Sequence, residues 1–267
     1  MPGQTVAEAQ QRGSTAKPVL VLLHGGGPGV DARSNWRTVK PQLSERFECV
    51  APDLLGFGGQ VVLAATEEDL PRGPTAWALA RARQVVQLLD RMGLARVHVL
   101  GNSAAGGAAA LALMASAPER VDKAVLMGGA GTGPPPPRVP FYDEPTRDSM
   151  RATLSRLVAD EHEHPDLIED LTGYRYAQAM RPGAEVAFRA MFHPDPDEAS
   201  PVRLSTVDRL VLLLHGERDR VAPVTVSEQL VAALPHARLE VVPNAGHWIH
   251  VDRPDEFCGH VERFLEP

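Results

Sequence analysis

Apolar residues recur along the chain in two alternating rhythms. Short, mostly apolar runs, at residues 18–23, 47–51, 97–100, 124–127, 209–214 and 239–242, read as strands, the continuous run at 18–23 as one buried on both faces. Between them lie stretches with helical spacing. Residues 75–92 place Leu79, Val85, Val86, Leu88 and Leu89 on one side and end at Gly93, a C-terminal cap. Residues 106–115, 224–234 and 254–265 read as further helices. Strands that alternate with helices imply a parallel sheet covered on both faces, with its ligand site at the carboxyl ends of the strands.

The rhythm breaks once. Residues 128–140 hold glycines and the proline run Pro134 to Pro137, which fits neither a helix interior nor a central strand. A stiff connector is the simpler reading of that run, and a polyproline ligand for a partner domain the sharper one. Residues 141–191 are polar and helical in pattern with no strand. We therefore expect one core split by one insertion: residues 1–132 and 201–267 form the core, and residues 133–200 a helical lid. His162, Glu163 and His164 lie in this segment, but adjacent and alternate positions do not share a helix face, so a solvated acidic helix is expected there and no metal site.

Composition narrows the partners. A chain of 267 residues with 43% hydrophobic and 23% charged residues suits a single globular α/β domain. Its net charge of -7 argues against nucleic acid or an anionic membrane surface, so any anion it binds has to meet a local cation. Residues 1–17 lack a basic stretch followed by a long apolar one, and no run approaches the roughly 20 residues of a membrane span. A cytoplasmic location is expected. Cys49 and Cys258 are the only cysteines, too few for a disulfide framework, and reduced, partly buried thiols are expected.

The candidate chemistry sits where strands end. After the strand at 97–100 comes Gly101-Asn102-Ser103-Ala104-Ala105-Gly106, almost the G-x-S-x-G elbow that lifts a serine hydroxyl above a sheet. An ordinary strand-turn-helix is the alternative. After the first strand comes His24-Gly25-Gly26-Gly27-Pro28-Gly29, whose glycines allow close backbone approach. A phosphate loop would need a lysine followed by serine or threonine, so an oxyanion hole is the better reading. Asp219 follows the fifth strand and His247 the sixth. A serine hydroxyl needs a base, and the base an orienting carboxylate; the chain order serine, aspartate, histidine is one that builds such a triad. Taken separately, Asp219 could cap its helix and His247 could be an ordinary loop histidine.

With these motifs in hand, the sequence resembles the α/β-hydrolase superfamily over nearly its whole length, and more narrowly the meta-cleavage product hydrolases, which cut carbon-carbon bonds in ring-opened aromatic compounds. The resemblance is carried by H-G-G-G-P-G with Ser34-Asn35-Trp36 after it, by Pro52-Asp53-x-x-Gly56-Phe57-Gly58, by Gly101-Asn102-Ser103, by Gly216-x-x-Asp219-x-Val221-x-Pro223 and by Gly246-His247-Trp248. It implies an α/β-hydrolase fold with a mostly parallel, doubly wound sheet and a helical lid. It also implies Ser103 as nucleophile, His247 as base, Asp219 as orienting acid, and the Gly26 and Ala104 amides as oxyanion hole. Asn35, Asn102, Arg175 and Trp248 match positions lining the polar end of that family's substrate pocket. Each has a plainer reading: Asn35 as a helix cap, Asn102 as a tolerant turn residue, Trp248 as core, Arg175 as a surface arginine.

Three features depart from the family pattern. Ala104 and Ala105 replace methionine and glycine, Gln60 replaces a serine, and the segment before Pro18 is short for the usual first hairpin, as in a trimmed amino terminus. The implied reaction is hydrolysis of a 2-hydroxy-6-oxo-dienoate, a small anionic substrate, without metal or organic cofactor. A carboxylesterase or related acyl hydrolase, a biosynthetic enzyme and a small-molecule receptor are the alternatives on this fold. Homo-oligomerisation is left open.

Overall fold

The structure, a computed structural model, describes residues 17–61, 70–131, 141–192 and 202–266. The limits expected for the insertion, Gly133 and Ser200, the proline run and residues 1–16 lie outside them.

In chain order the elements are β1 (Val19–Leu23), α1 (Ala32–Trp36), α2 (Lys40–Arg46), β2 (Glu48–Val50), α3 (Gly73–Met92), β3 (Val97–Asn102), α4 (Ala108–Ser116), β4 (Val121–Met127), α5 (Arg147–Ser155), α6 (Pro165–Ala179), α7 (Ala184–Phe192), β5 (Leu210–Gly216), α8 (Val224–Ala233), β6 (Ala237–Val242), α9 (Ile249–Asp252) and α10 (Pro254–Leu265). The six strands form one parallel sheet in the order β2-β1-β3-β4-β5-β6.

The continuous apolar runs of β1 and β5 are explained by two cores, one on each face. Along β1, Val21 and Leu23 enter one cluster and Leu20 and Leu22 the other; β5 divides Val211 and Leu213 from Leu212 and Leu214 in the same way. Helices α3 and α4 cover the first face, and α10 covers the second with Phe257, Val261 and Leu265. On α3, Trp77, Ala78, Ala82, Val85 and Leu89 are buried. That helix stops at Gly93, whose φ of 67° lets its N–H return to the Leu89 and Asp90 carbonyls.

Two expectations are corrected in detail. The helix expected over 106–115 begins instead as a wider turn, Ser103–Gly107, that passes into α4. The acidic segment is a short 3-10 turn, Glu161–Glu163, and His164 precedes α6.

Among the described residues, the segment between β4 and β5 is helical without strands. Its own apolar cluster, with Phe141, Met150, Leu154 and Ile168, takes in Trp248 and Val251 from the core. On the other side Ala187 and Met191 of α7 join the first core cluster. No helix of the described residues is long and apolar enough to cross a membrane.

Backbone meets backbone closely at Gly106, where a Cβ would lie 2.0 Å from the Leu23 carbonyl oxygen. At Gly93 nothing lies within 4 Å of such an atom, so a methyl there meets only the strain of a left-handed backbone. Gly93→Ala should destabilise by about 1–2 kcal/mol, whereas Gly106→Ala, which overlaps main chain, should remove at least about 3 kcal/mol or prevent folding. Urea unfolding of the two variants checks the ranking.

Candidate active site

β3 ends at Asn102, and the next residue turns the chain into the helix with φ of 53° at Ser103, a left-handed backbone at a non-glycine residue. Such strain persists only where surrounding packing enforces it. Gly101 and Gly106 supply that packing: a Cβ at Gly101 would sit 2.6 Å from Gly106 O. Ala105, the departure from the elbow motif, is tolerated because the close approach falls one residue later, on Gly106.

The elbow presents Ser103 Oγ 2.8 Å from His247 Nε2, and His247 Nδ1 lies 2.7 Å from Asp219 Oδ2. A carboxylate only accepts, so Nδ1 carries the hydrogen and Nε2 is left to accept from the serine hydroxyl. The other oxygen, Asp219 Oδ1, accepts the backbone N–H groups of Val221 at 2.7 Å and Ala222 at 2.9 Å. The Asp219 side chain is 1% exposed. Burial, the largest influence on this carboxyl, works toward the neutral form, but the bond from His247, its charge and the two amides outweigh it and hold the group below the ordinary aspartate value. Gly128, at the end of β4, packs under the imidazole, where a Cβ would lie 2.6 Å from His247 Cε1.

The glycine loop after β1 lies against the elbow. A Cβ at Gly26 would be 3.3 Å from the Ala105 methyl and 3.5 Å from the Ala105 nitrogen. Ala104 lies in the first helical turn, where amides have no intrahelical acceptor. His24 anchors the loop: its Nε2 accepts the Leu54 N–H at 3.0 Å and its Nδ1–H donates to Gly25 O at 2.8 Å. Burial pushes that imidazole down to about 4.

The residues expected at the polar end fall into two linked pairs. Asn35 Oδ1 accepts from the Gly25 N–H at 3.0 Å and from Asn102 Nδ2 at 2.9 Å. Asn35 sits inside α1, whose N-cap is Asp31, so the helix-cap reading of Asn35 does not hold. Asn102 Oδ1 is buried without a hydrogen-bond partner. In the second pair the Arg175 guanidinium lies 5.8 Å from the centre of the Trp248 ring.

Arg175 is 1% exposed and is not a surface arginine. Its Nε and Nη2 donate to Pro28 O at 3.0 and 2.8 Å, tying α6 to the glycine loop, and burial pushes it down to about 10. Next to it, Tyr174 donates to Asp31 Oδ2, and a Cβ at Gly29 would lie 1.9 Å from Arg175 O. Gln60 is exposed. A small cleft between core and insertion is lined by Val30, Gly56, Phe57, Tyr142, Ala184 and Phe188 among others, and does not include Ser103.

Sequence reasoning missed three supporting groups. His250 Nε2–H donates to Asn35 O at 2.8 Å. Asp252 Oδ2 accepts the Gly246 and Ala159 amides at 2.7 and 2.9 Å, which braces the loop carrying His247. His215 lies behind Asp219. Their signal was weak but present: His215 ends the apolar run 210–214, and His250 and Asp252 flank Val251 just after His247.

A family model described as "Alpha/beta hydrolase family" matches residues 20–260. The chain is 33% identical, over 92% of its length and 88% of the relative's, to a 2-hydroxy-6-oxo-2,4-heptadienoate hydrolase of Pseudomonas putida strain F1. It is 32% identical to a 2-hydroxymuconate semialdehyde hydrolase of Pseudomonas sp. strain CF600, over 92% of this chain and 86% of that one. Among solved structures, a 2-hydroxy-6-oxo-6-phenylhexa-2,4-dienoate hydrolase from Rhodococcus sp. strain RHA1 superimposes with a TM-score of 0.82 at 34% identity, covering 94% of this chain and 91% of that one.

The hydrogen-bond order from Asp219 to Ser103 makes a reactivity prediction. A fluorophosphonate should label Ser103 selectively. Asp219→Asn keeps an acceptor for Val221 and Ala222 but disfavours the Nδ1–H tautomer of His247, so labelling should slow by about 10⁴-fold. Intact-protein mass spectrometry over time measures it.

Proposed function

The chain belongs to the alpha/beta hydrolase family, and we propose that it hydrolyses a carbon-carbon bond in a small anionic ring-fission product, a 2-hydroxy-6-oxo-dienoate. The observation that carries this reading is the polar end of the site: Asn35 bonded to Asn102 beside Ser103, and a buried Arg175 over Trp248 beside His247. Simple esters need no fixed cation next to the nucleophile. A dienoate brings a carboxylate, and a protein of net charge -7 needs a local cation to hold it. The named relatives act on compounds of this kind.

In this mechanism the asparagines and Arg175 hold the carboxylate and 2-oxygen of the ketonised substrate. Ser103 Oγ attacks the 6-carbonyl while His247 takes its proton. Asp219 stabilises the imidazolium, and the Gly26 and Ala104 amides receive the oxyanion. The carbon-carbon bond then breaks, its electron pair leaves with the dienoate fragment, and that fragment takes the proton back from His247. Water, deprotonated by His247, releases the acyl group as a carboxylic acid.

The helices of the insertion form the lid over this chemistry. Docking of α6 on the glycine loop and of residues 157–159 on the His247 loop supports that placement.

The test is bleaching of the yellow dienolate of ring-fission products, set against nitrophenol release from a neutral ester. Ser103→Ala should fold and lose at least about 10³-fold on both substrates. Arg175→Gln should lower kcat/KM on the dienoate by about 30-fold to several thousand-fold. Because Arg175 also ties down the glycine loop, the ester should fall too, but by no more than about tenfold. Equal losses would assign Arg175 to holding the loop alone and favour an esterase.

A further inference from the structure

β5 is apolar from Leu210 to Leu214 and then carries His215, fully buried, at its carboxyl end. A buried ring in that position has to satisfy both nitrogens, and its partners decide which of them bears the proton. Nε2 lies 3.0 Å from Ala222 O. A carbonyl only accepts, so Nε2 carries the hydrogen. Nδ1, 2.7 Å from Ser227 Oγ, is then the acceptor and the Ser227 hydroxyl its donor. The same Nε2 is 3.4 Å from Asp219 Oδ2, the oxygen that receives the His247 Nδ1–H. Two imidazoles therefore converge on one carboxylate oxygen, in a buried chain that runs from Ser227 through His215, Asp219 and His247 to Ser103.

We propose that His215 is a positioning residue for the acid: it shares its Nε2–H between the Ala222 carbonyl and Asp219 Oδ2, and so limits how strongly that oxygen draws the proton of His247. The inference rests on Ser103, His247 and Asp219 acting as the triad. The charged and titratable groups facing His215 are Asp219, His247 and Glu228 of α8. Burial, the largest influence, pushes the ring down despite the carboxylates, which favours its neutral form. A neutral donor holds Asp219 without adding a second positive charge beside His247, which would oppose proton uptake by the base.

The sign of the effect follows. Without the His215 donor, Oδ2 is more basic, the protonated form of His247 is favoured, and the acidic limb of the activity profile moves to higher pH. The experiment is kcat/KM against pH for a neutral nitrophenyl ester with the wild type, His215→Phe and His215→Gln. His215→Phe should move the limb up by about half a pH unit. His215→Gln, whose amide nitrogen can reach the position of Nε2, should bring it back to within about 0.2 units of the wild type. An unmoved limb in an active His215→Phe, or a limb moved equally by both variants, overturns the proposal.

Nitrogen NMR of ring-labelled wild-type protein supplies a check that needs no variant to fold. His215 should remain a neutral Nε2–H tautomer between about pH 5 and 9. An Nδ1–H tautomer, or titration of His215 in that range, also overturns it. Turnover by Ser103→Ala would remove the triad itself, whereas an inactive Ser103→Ala together with an unmoved limb removes only the role of His215.

Discussion

Everything in the site depends on keeping one buried carboxylate charged. An uncompensated carboxylate in the interior costs several kcal/mol, and the Asp219 side chain is 1% exposed. Its oxygens divide the compensation. Oδ1 takes the backbone amides of Val221 and Ala222, which fix the rotamer, and Oδ2 is left to orient His247. The backbone amides come from the turn that opens after β5, so the strand's end positions the charge and its first donors together. The acid is therefore ionised before any substrate arrives, and the serine-histidine bond inherits its direction from it.

The parts of this arrangement that were legible in the sequence are those with a local physical signature. Runs buried on both faces announced a parallel sheet, and glycine clusters at strand ends announced places where backbone meets backbone. Ser103, Asp219 and His247 are legible because each lies just past the end of a strand, and the structure brings all three into one hydrogen-bonded line. What remained hidden is what depends on folding across long distances. That α6 lies on Gly29, burying Arg175 against Pro28, is decided by contacts between residues far apart in sequence. From sequence an arginine set between two tyrosines reads as a clamp or as a surface group, and its burial against Pro28 is seen only in the fold. The acidic segment at Glu161–Glu163 reads as a helix from its polar composition, which carries no period, while its shape is set by Asp160 accepting from the His162 amide.

The His247 loop is held from the insertion as well as from the core. The Trp248 amide donates to Leu157 O at 2.7 Å, and Asp252 joins the Gly246 amide to the Ala159 amide through one oxygen while its other oxygen accepts from His164. Arg220, next to the acid, donates to the carbonyls of Ser155 and Val158. The segment that follows α5 is thus bonded through its main chain to both loops that carry Asp219 and His247. On the other side of the insertion, Tyr142, Ala184 and Phe188 meet Gly56 and Phe57 across a cleft. Main-chain hydrogen bonds fix a loop to within tenths of an ångström, whereas apolar contacts are less directional and tolerate sliding. Displacing residues 155–164 would therefore disturb the aim of His247 at Ser103. α7 meets the core chiefly through buried apolar side chains, Ala187 and Met191, so the insertion is joined to the core by directional main-chain bonds at one end and by packed side chains at the other.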